Sequence, residues 1–258
     1  MSIIYEPKGR AKEYSLLAAN LYTGCSHGCL YCYAPGVLRM DKEKFHTEVA
    51  ARKDVVKQIE KEAAALACTD RRVLLCFTCD PYQPLDDELQ LTRQVLQILK
   101  KHRVPFQILT KGGMRAARDF DLYEKWDAFA TTMTFMQPTF MQPCYSEIWE
   151  PRAALPDERV SAIKIAKEAG IQTWVSLEPV IDIWESLKII SQTHDFVDHY
   201  KIGKLNYIEP PVPVDWRRFG KEAITLCEFY GKSYYIKQDL AKYLSGVGFR
   251  NTDTRKVN

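Results

Sequence analysis

The chain has 258 residues, 46% of them hydrophobic and 12% aromatic, and a formal net charge of +3. That length suits one large α/β barrel or two small domains, and the apolar fraction can build a real core. A charge of +3 does not mark a nucleic-acid-binding domain by composition. No apolar run approaches the ~18 residues that span a membrane. The polar start, Met1 to Arg10, lacks a signal-peptide pattern. Eight cysteines without such a signal point to a reducing cytoplasm, where thiols serve metals or catalysis.

Taken in order, residues 15–24 are β-compatible and predict a strand running into the loop Gly24 to Pro35. Lys53 to Ala67 carries Val55, Val56, Ile59, Ala63 and Leu66 at helical spacing. Val73 to Thr78 is nearly all apolar, as a strand buried on both faces of a parallel sheet requires. It ends in Asp80-Pro81-Tyr82-Gln83-Pro84, which cannot continue regular structure. A helix from about Asp87 to Lys101 follows, then a strand over Pro105 to Thr110, a helix over Met114 to Trp126 and a strand over Ala128 to Phe135. A duplicated five-residue segment, 134–138 and 139–143, reads as a local loop expansion, since two copies do not make a solenoid.

The alternation continues with a helix from about Asp157 to Ala169, stopped by Gly170, and a strand from Ile171 to Leu177. Asp182 caps a helix to about Gln192, Phe196 to Ile202 is a strand, and Asp215 caps a last long helix ending near Gly231. Tyr234 to Lys237 is a candidate further strand. Six β/α units fit, too few for a closed eight-unit barrel of about 250 residues. The expectation is one domain over 1–258: an open (β/α)6 TIM-like partial barrel over about 15–237 and a C-terminal tail over 238–258.

The most specific signal is the Cys-x3-Cys-x2-Cys spacing of Cys25, Cys29 and Cys32. Three thiolates on one short loop can hold three irons of a cubane iron–sulfur cluster and leave the fourth iron open. A closed zinc site wants four ligands, and His27 lies inside the first cysteine interval, where sharing one metal would be strained. In a barrel the active site gathers at the C-terminal ends of the strands. Here those ends carry the cysteine loop, Thr78, Cys79, Asp80, Lys111, the segment before Arg152, Glu178, Lys204 and Asn206.

The cysteine spacing, with Tyr31 one position before Cys32, resembles the radical S-adenosylmethionine (SAM) superfamily. Cys25 to Ala34, Asp80 to Pro84, Leu109-Thr110-Lys111 and Glu150-Pro151-Arg152-Ala153 together look like its spore photoproduct lyase-like branch, many members of which are labelled DNA-repair photolyases. The match covers roughly residues 15–210. The resemblance implies a [4Fe-4S] cluster on Cys25, Cys29 and Cys32, with SAM chelated at the open iron. It implies that Tyr31 borders the adenine and that Lys111 pairs with the carboxylate of SAM. Tyr33, Thr78, Asp80, Arg152 and Glu178 complete the expected cofactor-binding set. The branch commonly has a hydroxyl residue before the Asp80 position. Here that residue is Cys79, with Thr78 one step earlier. Spore photoproduct lyase uses a cysteine near this strand end to return a hydrogen atom to its product, and Cys76 and Cys79 are the candidates for that place.

The activity implied is lyase-like radical chemistry. A one-electron reductant of flavodoxin or ferredoxin type would feed the cluster, SAM would be cleaved, and a 5′-deoxyadenosyl radical would abstract hydrogen from the substrate. The branch points to a nucleic acid or nucleotide substrate, and Arg217, Arg218, Arg250, Arg255 and Lys256 add slight basic support. Tyr33, Tyr82 and Trp149 lie near strand ends, where aromatic rings can stack a base or fill a barrel rim. Twenty-four residues precede Cys25, with no evident segment for wedging a duplex, so duplex lesion repair is not expected. The alternatives are a non-catalytic iron–sulfur or zinc module, a barrel enzyme with incidental cysteines, and a radical SAM enzyme acting on a peptide or small metabolite. No membrane partner is expected.

Overall fold

The structure, a computed structural model, describes residues 2–136 and 145–257. Its strands are β1 (Ile4–Tyr5), β2 (Leu17–Ala19), β3 (Tyr22–Thr23), β4 (Ala50–Ala51), β5 (Val73–Leu75), β6 (Phe106–Thr110), β7 (Ala128–Thr132), β8 (Gln172–Leu177), β9 (His199–Ile202) and β10 (Ser233–Ile236). Its α-helices are α1 (Ala34–Leu38), α2 (Lys42–Thr47), α3 (Val55–Ala65), α4 (Leu85–Leu89), α5 (Leu91–Lys101), α6 (Tyr145–Trp149), α7 (Pro156–Glu168), α8 (Ile183–Thr193), α9 (Trp216–Phe229) and α10 (Gln238–Ala241).

Eight strands form one sheet in the order β1-β2-β5-β6-β7-β8-β9-β10. Every pairing from β2 to β10 is parallel, and β1 adds an antiparallel edge through Ile4 opposite Ala19. Side chains alternate along each strand. Val73, Leu75, Phe106, Ile108, Phe129, Val175, Leu177, Tyr200 and Ile202 belong to the large core shared with the helices. Leu74, Ala128, Ala130 and Trp174 form a second cluster on the inner face with Tyr14, Phe77 and Leu109.

The α/β partial-barrel expectation holds, with several differences in detail. The 234–237 candidate is a true strand, so seven parallel strands are present, and the sequence reading missed β1. The helix expected over 87–101 is broken at Gln90, whose φ is 49°. Buried Asp86 accepts hydrogen bonds from the Thr92 amide and hydroxyl at 2.9 and 3.0 Å, which starts a new helix there. The helix expected over 114–126 is a 3-10 helix over Gly113–Leu122. The strands expected over 73–78, 128–135 and 196–202 are shorter, ending at Leu75, ending at Thr132 and starting at His199. The second copy of the duplicated segment, 139–143, lies outside the described residues, as do the last two residues of the first.

Several boundaries follow local chemistry. The Asp182 carboxylate accepts from the Trp184 amide at 2.7 Å to cap α8, and Asp215 accepts from Arg218 at 2.9 Å to cap α9. The chain before β2 is positioned by distant contacts. Glu13 accepts from the Gln238 amide at 2.7 Å beyond the end of β10, and Ser15 donates to the Arg72 carbonyl at 2.7 Å just before β5 begins. Residues 13–15 therefore pass from the C-terminal mouth of the barrel towards its base, and Tyr14 fills the interior between those contacts. Among the described residues no helix is long and apolar enough to cross a membrane.

Candidate active site

The cysteine loop follows β3 and is fastened by four hydrogen bonds to three separate parts of the chain, α2, the segment at Gln83 and the segment 149–152. The Cys25 amide donates to the Phe45 carbonyl at 3.1 Å, and the Ser26 amide to Gln83 Oε1 at 2.9 Å. The Leu30 amide donates to the Trp149 carbonyl at 2.9 Å, and the Arg152 amide to the His27 carbonyl at 3.1 Å. Gly24 and Gly28 have φ of 78° and 69°, where side chains are strained. A Cβ at Gly24 would stand 2.7 Å from the Phe45 carbonyl oxygen, so this glycine lets the loop lie against α2.

Burial pushes the Cys29 thiol up to about 11, with the Lys111 ammonium opposing. It also raises Cys25, beside Asp80 and Cys79, and Cys32. Lys111 Nζ, from the end of β6, lies 3.7 Å from Cys29 Sγ and 4.8 Å from the centre of the Tyr31 ring. Tyr31 donates its hydroxyl to buried Glu150, which also accepts from Thr134 Oγ1 at 3.0 Å and pairs with Arg159 Nη2 at 2.5 Å. Burial raises Glu150, and the Arg159 charge works against that rise. Tyr31, expected beside an adenine, is thus also an anchor of the loop.

Asp80 gathers the adjoining strand ends. Its carboxylate accepts from Thr110 Oγ1 at 2.5 Å, the Tyr82 amide at 2.9 Å and the Lys111 amide at 2.7 Å. His27 Nδ1 lies 3.5 Å from the same carboxylate, and burial pushes that imidazole down to about 4. Cys76 and Cys79 are buried after β5, and burial, with Cys79 beside it, holds the Cys76 thiol well above its usual range. The Thr78 amide donates to Asn20 Oδ1 at 2.9 Å. The Arg152 guanidinium lies over Gly28, where an added Cβ would be 2.8 Å from Nη2.

Glu178 is at the end of β8, a strand removed from the cysteine loop. It accepts from Tyr14 Oη at 2.7 Å, from Asn206 Nδ2 at 2.9 Å and from buried Lys237. Tyr14 also shares a hydrogen bond with Ser176 Oγ at 2.9 Å. Lys204 turns away, donating to the Leu205 carbonyl at 3.0 Å with its ammonium 5.1 Å from the Trp216 ring centre. Tyr33 donates to the Phe77 carbonyl at 2.6 Å, and Phe77 packs edge-on against Tyr14 with centroids 6.1 Å apart. Through Tyr33, Phe77 and Tyr14 the cysteine loop is connected to the Glu178 group.

Tyr14, Lys237 and Arg159 were missed by sequence reasoning. None lies in a motif, and only Glu150, in the Glu150-Pro151-Arg152 segment, hinted at a buried cation nearby. Of the basic residues singled out, Arg217 and Arg218 sit in the first turn of α9, at the mouth. Arg255 and Lys256 are at the base: the Arg255 carbonyl accepts from the Arg72 amide, Arg255 pairs with Asp253 at 2.7 Å and Lys256 with Asp70 at 2.9 Å.

The donor set fits a cluster. Three soft thiols share one loop beside a cation, and among the described residues Ser26 Oγ, His27 Nε2 and Gln83 Nε2 are buried without a hydrogen-bond partner. Among the described residues no three His, Cys, Asp or Glu side chains converge as ligands of a single metal ion. A cluster asks instead for one thiolate per iron.

Fold and site together define an α/β partial-barrel protein with a thiolate loop at the C-terminal mouth of its strands. The chain belongs to the radical SAM superfamily, whose family model matches residues 19–196. An uncharacterized protein of Methanocaldococcus jannaschii is 27% identical over 189 residues, 72% of this chain and 69% of that protein. An uncharacterized protein of Mycobacterium bovis is 26% identical over 166 residues, 63% of this chain, which spans only 48% of that relative. Among solved structures, spore photoproduct lyase complexed with dinucleoside spore photoproduct has a TM-score of 0.66 at 14% identity, covering 90% of this chain and 78% of that one. A radical SAM methyltransferase from Sphaerobacter thermophilus has a TM-score of 0.56 at 12% identity, covering 87% and 67%. These likenesses establish the shared fold.

Proposed function

We propose that this protein holds a [4Fe-4S] cluster on Cys25, Cys29 and Cys32 with SAM at the open iron, and acts on a nucleic acid or nucleotide in a lyase-like reaction. The observation that carries this reading is the three-thiol loop at the strand mouth, Cys29 buried and Cys25 and Cys32 partly so, with Lys111 Nζ 3.7 Å from Cys29 Sγ. When bound, the cluster and SAM supply one-electron cleavage of a carbon–sulfur bond and hydrogen-atom abstraction from the substrate, drawing on a flavodoxin- or ferredoxin-like reductant. The nucleic-acid part is supported by a fold neighbour that binds a dinucleoside photoproduct, and by Arg217 and Arg218 at the mouth.

In this reading Lys111 offers its ammonium to the carboxylate of SAM, as a flexible point charge can. Glu150 holds Tyr31 and so fixes the loop. Asp80 locks the ends of β5 and β6 together, which keeps Lys111 aimed at the loop. Tyr14, Glu178, Asn206 and Lys237 give the far side of the mouth a hydrogen-bonded polar floor for the substrate. Cys76 and Cys79 are the candidate hydrogen donors, and burial keeps Cys76 as a thiol.

Anaerobic reconstitution tests this directly. About four irons and four sulfides per chain are expected, and a single zinc overturns the cluster. With dithionite, SAM should yield 5′-deoxyadenosine and methionine. The substrate class is read by comparing turnover with irradiated DNA, plain DNA, RNA and a metabolite extract. Acceleration by the extract alone rejects the nucleic-acid part and leaves the radical chemistry standing.

A further inference from the structure

The loop after β9 carries a tyrosine that packing does not explain. Tyr207 is 67% exposed, yet its backbone has φ of 71°, a region that tyrosine seldom occupies. Such an outlier asks for a functional reason. Its ring faces that of Tyr33, the residue directly after Cys32, with centroids 6.1 Å apart and planes 22° from parallel. The Arg10 guanidinium lies 5.1 Å from the centre of the Tyr207 ring and is held by Asp239 at 2.5 Å.

The two jaws are held differently. Tyr33 is fixed by its hydroxyl on the Phe77 carbonyl at 2.6 Å. Tyr207 rides on the stretch from Gly203 to Asp215, which contains no regular element and carries Pro210, Pro211 and Pro213. Inserting a flat ring between two others needs about 7 Å, twice the ~3.5 Å contact of carbon layers. The two ring centres are 6.1 Å apart with planes 22° from parallel, so the exposed loop tyrosine swings outward to admit a third ring between them.

We propose that Tyr33 and Tyr207 form a clamp for a nucleobase of the substrate, with Arg10 at its edge to meet a phosphate or a base carbonyl. A base held there lies next to Cys32, so its sugar or ring is presented to the cluster loop. The clamp reads the π-face of a base and tolerates any sequence, as stacking platforms for single strands do. The proposal rests on the nucleic-acid reading above and names the residues that would grip the substrate.

The probe is a short single-stranded oligodeoxynucleotide carrying one 2-aminopurine, compared with the same strand carrying an abasic residue, both added to reconstituted protein with SAM. Stacking on tyrosine should quench the 2-aminopurine fluorescence. Tyr207→Ala should weaken binding by roughly 5- to 150-fold and relieve the quench. Tyr207→Phe should bind within about threefold of the original, since stacking does not use the hydroxyl. Phe229→Ala removes an aromatic ring 78% exposed at the far end of α9 and should change nothing. Equal binding by Tyr207→Ala, or equal binding of the abasic strand, overturns the clamp while leaving the nucleic-acid reading in place. No salt-sensitive binding by the unmodified protein overturns both.

Discussion

Lys111 Nζ lies 3.7 Å from Cys29 Sγ, although the two residues are 82 positions apart. The contact depends on Asp80, which accepts from the Lys111 amide and holds the end of β6 beside the loop. The ammonium is also 3.8 Å from the buried Glu150 carboxylate, and in the proposed reading it meets the anionic carboxylate of SAM. Lys111→Ala should therefore weaken SAM binding by roughly 10- to 100-fold, the range for a lost charged hydrogen bond, and retain the iron. Calorimetric titration of the reconstituted variant decides it, and unchanged affinity would remove Lys111 from the site.

Cluster loss should follow the loop cysteines alone. Cys25→Ala, Cys29→Ala and Cys32→Ala should each lose brown colour and most iron. Cys68→Ala, at an exposed position, should keep a full complement. Iron and sulfide analysis separates the two groups, and a Cys29→Ala variant with full iron contradicts the ligand assignment.

Gly24 and Gly28 share positive φ but differ in what surrounds them. An alanine methyl at Gly24 meets the Phe45 carbonyl at 2.7 Å and the Glu48 carbonyl at 3.1 Å, both backbone. At Gly28 it meets the end of the Arg152 side chain, which can swing aside. Gly24→Ala should cost roughly 2–4 kcal/mol, strain plus overpacking, and Gly28→Ala roughly 1–2 kcal/mol. Denaturant titration of the cluster-free protein checks the order.

The Glu150–Arg159 pair is buried on both sides. Glu150→Gln leaves the Arg159 charge without its acid partner and frees Tyr31 from its ionic acceptor. A loss of about 3–5 kcal/mol is expected from breaking a buried pair. A stability unchanged within about 1 kcal/mol would show that Arg159 is satisfied by its bonds to the Ala154 and Thr132 carbonyls.

Lys201 gives a pH signature. It is buried inside the barrel, donating to the Tyr14 carbonyl at 2.9 Å with the Trp174 ring centre 4.7 Å away, and burial pushes it down to about 7. Between about 7 and 10.5 the unfolded chain carries a proton that the folded chain lacks. Stability should rise with pH through that window, by at most about 1.4 kcal/mol per unit. Lys201→Met should flatten this rise. Parallel profiles for the two proteins would mean that Lys201 stays protonated inside.

The sequence by itself determined the features that depend on near neighbours. Cys25, Cys29 and Cys32 lie within eight residues, so their spacing alone singled out the cysteine loop. Asp182 and Asp215 cap helices through amides two or three residues on. The apolar runs before Asp80, Lys111 and Glu178 announced parallel strands, and the polar residue after each run marked the mouth. Only the tertiary structure decided what those polar residues touch. Tyr14 meets Glu178 across 164 positions, Glu13 meets Gln238 across 225, and Tyr33 faces Tyr207 across the barrel. Gln90 broke an otherwise regular helical pattern because Asp86 was drawn into a buried network with Tyr22 and Arg118. A spacing or a cap is set by chain geometry within one turn. Contacts of this kind are set by how far the sheet curls and what fills its gap, which no local stretch of residues encodes.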